Sequence, residues 1–151
     1  MKKITLLFFA LLIFGCKEYS KKDIKGGWNT MIDDQYCELW FEDDLVLDWN
    51  YELGIVRLRD YEIKDNVIHF SHQHFSNETP HGIAFSFKIK SLRNGSMTLE
   101  DVIHPEHPKF IYNSIDEKAP DFSLDILSTE KQLELERKLR RSSEKRIPDF
   151  Y

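Results

Sequence analysis

The chain has little of what marks a catalyst or a cross-linked scaffold. Of its 151 residues two are cysteine, six glycine and five proline, so neither a disulfide framework nor a Pro/Gly-rich disordered chain is in prospect. It contains no G-x-S-x-G, no H-E-x-x-H and no glycine-rich phosphate loop, which removes the local signatures of acyl transfer, zinc proteolysis and nucleotide chemistry. Basic residues number 21 against 26 acidic ones, and without basic clusters to replace counterions nucleic acid is not an expected partner. The single long apolar run, Ile4 to Phe14, is eleven residues. As a helix it would rise about 16 Å against a hydrocarbon core of roughly 30 Å, too short to span a bilayer.

That run is nonetheless informative. Lys2 and Lys3 precede it and Gly15-Cys16 follow it, the arrangement of a secretory signal with a charged start, an apolar core and a small residue at the cleavage point. Residues 1–15 are expected to be absent from the mature protein, whose balance becomes 19 basic against 26 acidic residues, a formal charge of −7. The remaining length suits one domain with a single core.

The tetrapeptide Ile13-Phe14-Gly15-Cys16 resembles the lipobox of bacterial lipoproteins. The resemblance implies a diacylglycerol on the Cys16 sulfur, cleavage before that residue and N-acylation of the new amine by a palmitate-type chain. It thus implies attachment to the membrane of the cell envelope. Lys17, where an aspartate would signal inner-membrane retention, implies the outer membrane. Two or more acyl chains, at about 0.8 kcal/mol per buried methylene, give lasting attachment. Apart from that covalent lipid, no cofactor is expected. A plain secretory signal or an uncleaved anchor is the alternative, and a Cys16–Cys37 disulfide would then compete. With Cys16 acylated, Cys37 is a lone thiol, and its alternation with Leu39 and Phe41 predicts burial.

Residues 16–25 comprise the lipidated cysteine and the polar run KEYSKKDIK, which reads as a linker. From Trp28 to Ser114 short alternating runs are separated by turn signals. Tyr36–Phe41 and Leu45–Trp49 flank Asp43-Asp44, Arg57–Ile63 and Val67–Phe70 flank Lys64-Asp65-Asn66, and Phe85–Lys90 precede Asn94-Gly95, which turns back into Met97–Leu99. Period two interrupted by such pairs predicts hairpins. The fold expected is all-β, an antiparallel meander of about eight strands, with closed barrel and sandwich both open. After Pro120, a thin stripe of Leu127, Leu135 and Leu139 among charged residues predicts a helix over about 129–142 within a C-terminal extension, 116–151. It is expected to dock on the domain rather than on a membrane.

Gly26-Gly27-Trp28, then Leu39-x-Phe41, Leu45-x-Leu47 and Tyr61-Glu-Ile63-Lys-Asp-Asn-Val67, are similar to the motif order of the lipocalin-like domains of small Bacteroidetes lipoproteins, over about residues 26–115. The resemblance implies an eight-stranded barrel with a helix packed outside it. Lipocalins commonly place a basic residue from the barrel's end on that tryptophan, and the last strand here offers Lys109.

An eight-stranded barrel can be filled by side chains or hold one small ligand. The aromatics that would decide are Trp28 and the candidate ligand-binding set Trp40, Trp49, Tyr61, Phe85 and Phe87. All six histidines lie between His69 and His107. His72 and His74 fall on one side of an extended segment, with His81 across a loop, giving a weaker zinc- or copper-site alternative. His104-Pro105-Glu106-His107-Pro108 reads as a stiff connection, and Asp33-Asp34 and Asp43-Asp44 as turns rather than paired catalytic acids. No catalytic residue is nominated. The function expected is a non-enzymatic, lipid-anchored envelope protein. It either binds a small apolar ligand or, with a filled core, presents loops to another envelope protein.

Overall fold

The computed structural model describes residues 17–71, 83–123 and 129–147. Eight strands, β1 (Gly26–Ile32), β2 (Gln35–Phe41), β3 (Leu45–Asn50), β4 (Ile55–Lys64), β5 (Val67–Ser71), β6 (Ile83–Arg93), β7 (Ser96–Asp101) and β8 (Phe110–Ile115), follow one another antiparallel around a closed barrel. The alternation in the sequence fits both a barrel and a sandwich. Closure is made by β8 returning to β1, with Gly27, Trp28 and Asn29 opposite Ile115, Ser114 and Asn113.

Three hairpins turn on residue pairs with positive φ: Asp33-Asp34 (49° and 61°), Asp65-Asn66 (53° and 61°) and Asn94-Gly95 (52° and 70°). Two successive left-handed residues match the twist of the flanking strands, and Asp and Asn bear that conformation better than other side chains. The paired acids at 33–34 are therefore turn residues, as their position predicts.

Two apolar clusters lie on opposite faces of the same sheet. The interior one takes alternate residues from every strand, including Trp28, Leu39, Phe41, Val46, Tyr61, Ile68, Phe70, Ile89, Met97, Leu99 and Tyr112. The outer one takes Trp40, Leu47, Trp49, Val56, Leu58 and Ile115 and is covered by Leu135 and Leu139 of the C-terminal helix α2 (Thr129–Ser143). The helix docks on the domain, and its register leaves Leu133 in solvent.

A buried polar network fastens this helix. Glu38, fully buried on the outer face of β2, accepts from Arg146 Nη2 at 2.7 Å, from Ser143 Oγ at 2.7 Å and from Trp40 Nε1 at 2.8 Å. Trp49 Nε1 donates to Ser143 Oγ at 3.0 Å, and Arg146 also reaches Tyr36 Oη and Glu117. Gly27 lies under the same network: a Cβ there would come within 2.5 Å of the Trp40 ring, so the residue before Trp28 must be glycine for the helix-covered face to pack. Arg146 and Arg140 of the C-terminal segment lie over the outward tryptophans, 5.9 Å from the Trp40 ring centre and 5.7 Å from that of Trp49. Lys109 instead faces Glu100 at 3.6 Å.

The segment expected to be a linker is folded. Residues Lys21–Ile24 form one helical turn, α1, with Asp23 accepting from the Ser20 amide and hydroxyl. Ile24 is fully buried in the interior cluster, its carbonyl accepting from Trp28 Nε1 at 2.7 Å. The sequence reading missed this because Tyr19 and Ile24, five positions apart in a charged run, set up no helical or strand period. Ile24 plugs the barrel end where β1 begins.

Removing Arg146 strands a buried carboxylate, at a cost of about 3–5 kcal/mol. Urea denaturation of Arg146→Ala should show that loss, whereas E38L/R146M, which removes both charges, should recover most of it. A loss below about 1 kcal/mol in the single variant would show that the network does not hold the helix.

Candidate polar cup at the open barrel end

Towards the other end of the barrel, several of the side chains that β3 and β4 turn inward are polar. In β3 and β4 the outward phase is the apolar one (Leu45, Leu47, Trp49, Val56, Leu58), so the inward phase carries Val46, Asp48 and Asn50 opposite Arg59, Arg57 and Ile55. Cys37 lies opposite Asn50 in β2, and Tyr112 completes the group from β8. Arg57 Nη1 donates to Asp48 Oδ2 at 3.2 Å, with the two side chains 30% and 20% exposed, so the pair sits within reach of solvent without being on the surface.

Of the two inward guanidinium groups, Arg57 is paired with Asp48 and Arg59 has no ion-pair partner among the described residues. Arg59 Nη1 donates to the Ser71 carbonyl at 3.1 Å and its guanidinium lies 4.9 Å from the Phe85 ring centre, but its Nε is buried without a hydrogen-bond partner. Burial pulls the Arg59 guanidinium below its ordinary pKa, the charge of Asp48 opposing and that of Arg57 reinforcing the shift. Burial likewise pushes the Asp48 carboxyl up, against the attraction of Arg57 and Arg59, and pushes the Tyr112 hydroxyl up, with Asp48 adding to it. An anion placed beside Arg59 would relieve the strain that burial puts on its charge.

Beside the polar group stands an aromatic wall. Phe70 and Phe85 stack at 4.8 Å, Phe85 and Phe87 meet edge to face at 5.7 Å, and Phe87 meets Phe110 at 5.4 Å. Phe70 is buried, whereas Phe85, Phe87 and Phe110 are only partly so. The β1–β8 seam also opens towards this end. Beyond Asn29 the ladder stops, Thr30 Oγ1 bridges to the Ile111 carbonyl at 2.8 Å, and a groove of about 610 Å³ runs between Ile32, Phe110 and His107.

The structure divides the candidate ligand residues. Tyr61, Phe85 and Phe87 belong to the interior cluster, Tyr61 with its hydroxyl donating to the Glu42 carbonyl at 2.6 Å. Trp40 and Trp49 face outward beneath α2 and do not reach the interior. Cys16, His72, His74 and His81 lie outside the described residues. Asp48, Arg57 and Arg59 were not singled out from sequence, although Arg57 and Arg59 share the phase of Tyr61 and Ile63, which is a usable signal.

Cys37 is half-buried, with burial pushing its thiol up to about 12 and the charges of Asp48 and Glu52 adding to the shift. At pH 8 its thiolate fraction is then far below that of a free cysteine, so a thiol-disulfide reagent should modify it at least about a hundredfold more slowly in the folded than in the urea-unfolded protein. Equal rates would show the interior to be open at Cys37. Comparison of the chain with protein-family profiles, with curated proteins and with solved structures gave no match.

Proposed function

We propose that this protein is a non-enzymatic, lipid-anchored cell-envelope module whose lipocalin-like barrel binds a small amphipathic molecule, its anionic group at Arg57 and Arg59 and its apolar part along Phe85, Phe87 and Phe110. The observation that carries the reading is the unequal pair of barrel ends: one plugged by Ile24, the other holding two inward arginines, Arg59 with a buried Nε that has no hydrogen-bond partner, beside partly buried aromatic rings. A filled barrel designed only for packing has no use for inward charge, which costs free energy unless paired.

The anchor rests on the lipobox resemblance at Cys16, and the packing of the next residues supports a definite orientation. Asn66 Nδ2 donates to the Lys17 carbonyl at 3.0 Å while its Oδ1 accepts from the Tyr19 amide at 2.7 Å. A chain acylated at Cys16 and clamped from residue 17 onward has almost no slack, so the plugged end lies against the outer membrane and the cup faces away from it. A second reading, an interaction module for an envelope protein, is favoured by the exposed Val102, Ile103 and Ile111 beside the cup.

Two measurements test this function. An alkyne fatty acid fed to the expressing cells should label the protein and leave Cys16→Ser unlabelled; labelling of both, or of neither, removes the anchor. The fluorescent sulfonate 1-anilinonaphthalene-8-sulfonate should bind saturably and be displaced by myristate, with R57M/R59M weakening it at least about tenfold, which is about 1.4 kcal/mol. Asp48→Asn should tighten it by freeing Arg57. Binding indifferent to both variants, in proteins with unchanged circular dichroism, would leave the interaction module as the better reading.

A further inference from the structure

The connection between β7 and β8, residues 102–109, brings together three metal-ligating side chains on the rim of the open end. His104, Glu106 and His107 each offer one ligand atom, and these atoms all lie within 4.8 Å of one another. The two imidazoles stack at 4.9 Å between ring centres with 23° between their planes, and His104 Nδ1 already meets Glu106 Oε1 at 3.3 Å. Both imidazoles thus stand on the same side of the loop, with a carboxylate beside them.

Residues other than the ligands hold the loop in this shape. His104 precedes Pro105 and His107 precedes Pro108, so the backbone of each histidine is biased to an extended conformation and each proline fixes its own φ. The His107 amide closes the turn on the His104 carbonyl at 3.0 Å. Asp101, at the end of β7, accepts from the amides of Ile103 and His104 at 2.8 and 3.1 Å.

We infer that His104, Glu106 and His107 form a surface site for a borderline transition-metal ion, zinc or copper(II), at the rim of the cup. A tetrahedral zinc with bonds of about 2.0–2.2 Å sets its ligand atoms roughly 3.3–3.5 Å apart. The three side chains are exposed and free to rotate towards a shared ion. Two imidazoles and one carboxylate suit these ions, while calcium and magnesium, which prefer six or more oxygen donors or retained waters, find only one carboxylate here. Three protein ligands leave a fourth position for water or for a donor from a bound partner. Cys37, half-buried on β2, is not part of this group. This site differs from the His72, His74 and His81 set nominated from sequence, and it stands or falls independently of the cup.

The test is competition of the detergent-solubilised full chain with a chromogenic chelator for zinc ions, with copper(II) as a second probe. One equivalent should be retained at micromolar free zinc. H104A/H107A should raise the dissociation constant at least about tenfold, and Glu106→Gln should raise it by a smaller factor. H72A/H74A/H81A should leave it unchanged, and calcium at millimolar concentration should not displace the zinc. All three ligands are exposed, so the variants are expected to melt with the parent protein. Failure to retain zinc, or retention lost in H72A/H74A/H81A but kept in H104A/H107A, overturns the inference.

Discussion

The architecture depends on the ion pair between Glu38 and Arg146. A carboxylate fully buried on the outer face of β2 is tolerable only while a guanidinium from the C-terminal end of the chain, with Ser143 and Trp40, satisfies it. That requirement commits α2 to one place and one register on the barrel. The helix in turn covers an apolar outer face on β2, β3 and β4 that would otherwise be exposed. Because the helix gives β3 and β4 a second apolar face to bury outward, part of their inward phase can be polar, and Asp48, Arg57 and Arg59 stand there beside the core residues Val46 and Tyr61. The polar cup is in this sense a consequence of the helix outside.

The two barrel ends are built differently. At one end Ile24, Tyr19 and Ile63 join the interior cluster, and ion pairs of Lys21 with Asp44 and of Lys25 with Asp43 and Glu42 surround the plug. These exposed pairs contribute little singly; the burial of Ile24 and the clamp made by Asn66 do more. At the other end the β1–β8 ladder is short and the interior carries charge. Among the described residues the barrel is thus closed by packing at one end and shorter in its β1–β8 pairing at the other.

Much of the fold was legible. Period-two alternation with Asp-Asp, Asp-Asn and Asn-Gly turns marked hairpins correctly, because both signals are local: a strand's faces and a turn's φ angles depend on residues a few positions apart. The helix from Thr129 was legible for the same reason, as was its docking, through the stripe at Leu135 and Leu139. The single turn at Lys21–Ile24 was not, since its only justification is a hole at the end of the barrel. The sites were less legible still. Apolar residues are ordinarily assumed to face the interior, and in β2, β3 and β4 that assumption places Trp40 and Trp49 inside and the arginines outside, the reverse of the structure.

What the sequence by itself determined is the set of strands, their turns and the amphipathic helix, together with the lipobox-like start that the resemblance to lipoproteins rests on. Those are properties of neighbouring residues. Only the tertiary structure decided that the sheet closes, which face of β2–β4 points inward, and that Glu38 meets Arg146 across 108 positions of chain. It also decided that His104, Glu106 and His107 stand within reach of one another. The reason is physical: alternation distinguishes two faces of a strand but does not say which is inside, and that choice belongs to whatever covers the outer face, here a helix encoded some ninety residues later.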